Sequence, residues 1–222
     1  QGAPLVPIGD KLLFSEYDYC LNIGGFANVS FDNEQGKRIA YDLCPANYVL
    51  NRLMRTKGHD YDKDGETARS GRVNRELFDA LNALETPRTR KEIAEYLGLS
   101  SITYAIQKYV MPLVEACNDE FANVIATLTE HSAYQIARNF RPGARVLVTG
   151  GGAYNVYMLE RVKAYAYIEF IRPARNIIDF KEALIFAFLG LRRVLNQPNC
   201  LASVTGASHD VISGACYGFK IE

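Results

Sequence analysis

The chain has 222 residues, enough for one substantial domain, and its 48% hydrophobic and 23% charged content is ordinary for a globular protein. Its 25 basic and 25 acidic residues cancel, and no basic stretch is long enough to grip a nucleic acid. No window of about 18 apolar residues marks a membrane-spanning helix, and the start Gln1-Gly2-Ala3-Pro4 reads as a cut end rather than a signal peptide.

The first strand expected is Tyr19 to Ile23, ending at Gly24-Gly25. Short strands at Asn28 to Phe31 and Arg38 to Asp42 follow, separated by the polar turn Asp32 to Gly36. Three short runs with such turns predict an antiparallel meander. Pro45 is expected to open a helix to about Thr56, with Val49, Leu50, Leu53 and Met54 at helical spacing. His59 to Gly71 reads as a charged loop with a short helix, and Asn74 to Leu84 as a helix that Pro87 breaks. Shorter helices are predicted over Arg90–Leu97 and Ser101–Glu115, around a break at Gly98. The longest, Asp119 to Phe140, stops at Arg141-Pro142-Gly143. Then come a strand (Arg145 to Thr149), a helix (Tyr154 to Ala164), a strand (Tyr167 to Ile171) and a helix from an Asp179 N-cap to Leu195. The last stretch looks irregular, with turns at Thr205-Gly206 and Ser213-Gly214. A meander followed by alternating strands and helices predicts an α/β lobe with a mixed sheet flanked by helices.

Five scattered cysteines (Cys20, Cys44, Cys117, Cys200, Cys216) without a CxxC pair fit a reducing, cytoplasmic setting better than a disulfide framework. His59, His131 and His209 match no metal-ligand spacing, so no protein-held metal is expected and the histidines read as solvated or structural.

Three features could carry chemistry. Gly24-Gly25 in Asn22-Ile23-Gly24-Gly25-Phe26-Ala27-Asn28 would admit a phosphate close to backbone amides, although alone it reads as an ordinary hairpin turn. Asp42 ends a predicted strand just before a helix start, a place for a general base, or for a capping or loop aspartate. Val148-Thr149-Gly150-Gly151-Gly152-Ala153-Tyr154-Asn155 delivers a strand through three glycines onto a helix start. That suits a nucleotide as well as it suits a tight turn, and it is neither GxGxxG nor a P-loop.

This order of features resembles actin-like and hexokinase-like ATPases. Six blocks are more specific: Gln1 to Pro7, Leu21 to Asn28, Tyr61-Asp62-Lys63-Asp64-Gly65, Ala126 to Glu130, Thr149 to Asn155 and Asp179 to Leu184. Together they resemble anhydro-N-acetylmuramic acid kinases over nearly the whole chain. The resemblance implies an actin-like/hexokinase-like (ribonuclease H-like) lobe in a two-lobed ATP-dependent sugar kinase. Such an enzyme opens the 1,6-anhydro bridge of anhydro-N-acetylmuramic acid and phosphorylates O6, recycling cell-wall sugar. ATP and Mg²⁺ are the implied cofactors and the sugar the small-molecule partner. No nucleic acid or membrane is implied, and a homodimer is allowed.

By the same resemblance Asp42 is the catalytic base that deprotonates the attacking water, and a carboxylate near its reference pKa of about 4 is ionised and ready to do so. Gly24, Gly25, Gly151, Gly152 and Asn155 are implied nucleotide contacts. Asn28, Asn47 and Glu182 are implied sugar contacts, Glu182 being equally readable as a solvated helix carboxylate. Three departures stand out. Asp42-Leu43-Cys44-Pro45 replaces the family's usual Asp-Thr-Gly-Pro, and Thr86 to Glu92 replaces a Pro-Lys-Ser segment. The family's N-terminal Gly/Ser/Thr-rich phosphate hairpin does not occur in this chain. The chain is therefore expected to be mostly the second lobe, to bind Mg-ATP weakly by itself and to be inactive alone. The competing expectation is a non-catalytic sugar- or nucleotide-binding remnant of the same fold. A different kinase of the superfamily is disfavoured by the Gln-Gly-Ala-Pro and Lys-Asp-Gly blocks.

Overall fold

The computed structural model describes residues 5–84 and 106–218. A helix, α1 (Val6–Leu13), precedes the meander β1 (Tyr19–Ile23), β2 (Phe26–Asp32) and β3 (Arg38–Pro45). Helices α2 (Asn47–Arg55), α3 (Glu66–Ser70) and α4 (Arg75–Ala83) follow. After a π-helical turn at Ile106–Val110 come α5 (Met111–Ala116), α6 (Phe121–Ala137), β4 (Ala144–Thr149), α7 (Val156–Tyr165), β5 (Ile168–Ile171), α8 (Arg175–Val194) and the single turn α9 (Ala202–Thr205).

The strands form one sheet in the order β3-β2-β1-β4-β5. β1, β2 and β3 pair antiparallel, whereas β4 runs parallel to β1 and β5 parallel to β4. This is the expected mixed sheet flanked by helices. Alternation along each strand splits the side chains between two cores. Leu21, Ile23, Val29, Val146 and Val148 point into the larger one, closed by α2, α4, α6 and α7. Cys20 and Leu147 point the other way, onto Ile8 and Phe14 from α1 and Ile185 and Leu189 from α8. Helix α6 is buried on nearly all sides, as a helix at the centre of a layer must be.

Several boundaries differ from the sequence-based expectation. Helix α1 was not anticipated; Pro7 sits in its first turn, where the missing N–H costs nothing. Pro45 does not open α2: it ends β3, because pairing with Phe26 continues through it. Asp42 therefore lies inside β3 rather than at its end. Asp179 is not an N-cap, since α8 begins four residues earlier and bends at Phe180, whose φ of −125° and ψ of 15° leave the helical region. Its carboxylate instead accepts hydrogen bonds from Tyr154 Oη (2.7 Å) and Arg175 Nε (3.3 Å). The Ser101–Glu115 helix is described only from Ile106, and its first described residues, Ile106–Val110, form the π turn. Gln1–Pro4, Arg90–Leu97, Gly98, Pro87 and the Thr86–Glu92 departure lie outside the described residues. The C-terminal stretch is irregular as expected, apart from α9 and a bridge between Cys200 and Val211.

Candidate functional site

Strand register assembles the site. Asp42 on β3 stands opposite Asn28 on β2, Asn28 opposite Asn22 on β1, and Asn22 beside Thr149 on β4. Paired residues share a face of a sheet, so these four form one polar row across four strands, on the face that also carries α1 and α8. Asp42, Asn28 and Asn22 are half-buried, whereas Thr149 is buried and donates a long hydrogen bond to Leu21 O (3.4 Å). Past Asp42 the β2–β3 register slips: Cys44 pairs with Ala27, and Leu43 is left without a partner residue. A bulge of this kind bends the strand and re-aims its side chains. The departure Leu43-Cys44 thus sits at the bulge itself.

Two glycine turns flank the row. In the first, the carbonyl of Gly24 accepts from the amide of Asn47, and that of Gly25 accepts from the amides of Ala46 and Tyr48. The hairpin thereby satisfies the first amides of α2, which has no side-chain cap. A Cβ at Gly24 or Gly25 would meet nothing closer than 3.5 Å, so packing does not demand glycine there. What the missing side chains provide is open approach to the backbone.

The second turn, after β4, is partly a packing device. Gly150 has a φ of +78°, and a Cβ on it would fall 2.6 Å from Asn22 Oδ1; one on Gly152 would fall 2.2 Å from Ile23 Cγ2. Gly152 is buried against β1, whereas Gly151 is exposed, with its nearest neighbour, Asn47 Nδ2, 3.7 Å from a Cβ built there. Asn155 is buried and caps α7, its Oδ1 accepting from the Met158 amide at 2.9 Å. Asn47 donates its side-chain amide to Ile23 O (3.2 Å). Gly24, Gly25, Asn28, Asp42, Asn47, Gly151 and Asn155 are thus grouped around the row. Glu182 stands outside that grouping: it is exposed on α8 and has no hydrogen bond or ion pair among the described residues.

Asn22 and Thr149 belong to the row and escaped the sequence reading. Asn22 has its Nδ2 toward Gly24 and its Oδ1 toward Gly150, so one side chain faces both turns. The signal was partial: Asn22 and Asn28 are each three residues from Gly25, and they stand opposite each other because the hairpin register is centred there. The Tyr61–Gly65 block is also explained. Asp62 is buried and accepts from the amides of Thr67 and Ala68, and Gly65 presses on Asn155 and Tyr157. Among the described residues no group of three or more His, Cys, Asp or Glu side chains could hold a metal ion. No described helix is long and apolar enough to cross a membrane.

Comparison with known proteins places this geometry in a family. The family model described as anhydro-N-acetylmuramic acid kinase matches residues 1–218. The chain is 30% identical over 232 residues to the anhydro-N-acetylmuramic acid kinase of Saccharophagus degradans, covering 98% of this chain and 60% of that protein. It is 31% identical over 237 residues to the protein of the same name from Vibrio cholerae, again covering 98% and 60%. The chain therefore spans about three fifths of the length of these curated relatives. Among solved structures it is similar to the activator of the 2-hydroxyisocaproyl-CoA dehydratase from Clostridium difficile with bound ADPNP. That match has a TM-score of 0.49 and 15% identity, over 88% of this chain and 68% of the other.

Proposed function

The chain belongs to the anhydro-N-acetylmuramic acid kinase family, and from that premise we propose that it is mostly the second lobe of an ATP-dependent sugar kinase. The reaction proposed is hydrolysis of the 1,6-anhydro bridge of anhydro-N-acetylmuramic acid with phosphorylation of O6. The observation that supports it is the row Asp42–Asn28–Asn22–Thr149 set between two glycine turns.

Asp42 is the one carboxylate of that row, and its role is to take a proton from the water that attacks the anomeric carbon. As water adds, the bond from the anomeric carbon to O6 breaks, and the freed O6 attacks the γ-phosphate with ADP as the leaving group. Asn28 and Asn47 orient the sugar, with Glu182 as a further contact on closure. Gly24, Gly25 and Gly151 leave room for the nucleotide's phosphates, while Gly152 and Asn155 hold the shape of the second turn.

Phosphoryl transfer depends chiefly on alignment and charge neutralisation. Among the described residues no cluster of carboxylates would hold Mg²⁺ by itself, so the ion would be held chiefly by the phosphates and water it arrives with, leaving Asp42 as the base. When bound, the ion neutralises phosphate charge. Cytoplasmic cell-wall sugar recycling is the setting proposed, and all five cysteines being free supports a reducing compartment.

The test is turnover of anhydro-N-acetylmuramic acid with Mg-ATP by the full-length protein, followed by mass of the phosphorylated product. Asp42→Asn is expected to lower kcat by about 10²–10⁴-fold. Full activity in Asp42→Asn would remove Asp42 from the chemistry. Sugar binding without turnover by the unsubstituted protein would favour the non-catalytic reading.

A further inference from the structure

Ser132, on α6, lies outside every motif block, yet it touches the strand that carries Asp42 at two points. Its hydroxyl is 2.9 Å from Pro45 O and 3.0 Å from Leu128 O, one turn back in its own helix. A hydroxyl has one proton, so it donates either across to the strand or back along the helix. The Ser132 carbonyl in turn accepts from Cys44 Sγ at 3.7 Å. Ser132 and Cys44 are both almost fully buried, 3% and 2% exposed. Burial pushes the Cys44 thiol up to about 12, so at neutral pH it carries the proton that this bond requires.

These contacts fall just after the bulge, where the register has slipped by one residue at Leu43 and pairing resumes only for the last two residues of β3, Cys44 with Ala27 and Pro45 with Phe26. On the other side, the amides of Ala46, Asn47 and Tyr48 are held by the carbonyls of Gly24 and Gly25. Segment 44–48 is thus fastened to the hairpin on one side and to α6 on the other, with Asp42 two residues upstream.

We propose that Ser132 is a positioning residue: with Cys44 it latches the end of β3 to α6 and so sets the aim of Asp42. The role rests on the kinase reading above, while the latch itself does not. Losing the hydroxyl lets residues 43–46 relax, and a base displaced by about 1 Å costs up to about a hundredfold in rate.

The experiment compares Ser132→Ala, Ser132→Thr and the unsubstituted protein. Hydrogen exchange is read on peptides covering residues 40–48, with α6 and β1 peptides as controls. Expected is exchange faster by about tenfold at the amides of Leu43, Cys44 and Ala46 in Ser132→Ala alone, with the control peptides unchanged. Ser132→Thr, which keeps the hydroxyl, is expected to restore protection. Unchanged exchange at those amides in Ser132→Ala overturns the latch, whether or not the protein turns over sugar. In the sugar-kinase assay, Ser132→Ala is expected to lower kcat about ten- to a hundredfold with KM for both substrates unchanged, and Ser132→Thr to recover it. Faster exchange with unaltered kcat overturns the positioning role and leaves a structural contact only. A full-length unsubstituted protein without turnover sinks the kinase reading, and exchange then decides the latch by itself.

Discussion

At the scale of single residues, the polar groups inside α6 carry consequences that are separate from the site. His131 is buried, 6% exposed, and its Nε2 has no hydrogen-bond partner among the described residues. Burial pushes its imidazole down to about 4 from the ordinary 6.5. Between those values the unfolded chain binds a proton that the folded protein refuses, so stability falls as pH drops from 6.5 toward 4. From about pH 7 to about pH 5 the loss is about 2 kcal/mol for this one group. His131→Leu is expected to flatten that part of the curve by about one proton in urea unfolding followed across the range. An unchanged slope would mean that His131 is not the group being titrated.

Elements are joined by two further clusters, each a set of side chains that no single segment reveals. Between α6 and α7, Glu130 accepts from Arg161 Nε (2.6 Å) and Nη2 (2.7 Å) and from Tyr165 Oη (2.5 Å). Desolvation pushes the Glu130 carboxyl up, but the hydrogen bonds from Arg161 and Tyr165 outweigh it and hold the group below its ordinary value. The cluster therefore stabilises the fold above the unfolded carboxylate's value and loses that contribution as pH falls through the folded one. Glu130→Gln keeps the shape and removes the charge. It is expected to cost about 2 kcal/mol at neutral pH, read as a lower urea midpoint with the m-value unchanged. On the opposite face, Lys181 of α8 reaches Asp10 of α1 (2.9 Å), and Ser30 of β2 donates to the same carboxylate (2.6 Å). Both ions are nearly fully buried, so the pair fixes how α8 seats on α1 and the sheet.

Across the whole molecule the two cores are unequal. The larger encloses α6 and one face of every central strand, while the α1–α8 layer rests on a much smaller apolar cluster. Helix α8 also presents Phe180, Leu184, Leu191 and Val194 outward. Local opening follows the fewest buried contacts. Native-state hydrogen exchange is thus expected to show α1 and α8 opening together, below the free energy at which α6 and β1 exchange. Equal protection in both layers would contradict the unequal-core account. The bend at Phe180 is a natural place for that opening to begin, since it divides the part of α8 tied to Tyr154 from the part tied to Asp10.

By itself the sequence determined the local pieces: the meander, the parallel strands, most helices, and six motif blocks specific enough to point to the family. Period-two and period-3.6 patterns are local, so β1 could be read to the residue and α4 to within one. It also singled out Asp42 and the glycine turns, because residue type and neighbours mark them. Only the tertiary structure decided that Asn22 and Thr149 complete the row, because register is a relation between strands far apart in sequence. It likewise moved Asp42 from a strand end to a bulge, and it brought in Ser132 from a helix with no motif of its own. Asp179 turned from a cap into a tie to Tyr154 for the same reason: a carboxylate's partner is whichever donor the fold sets beside it.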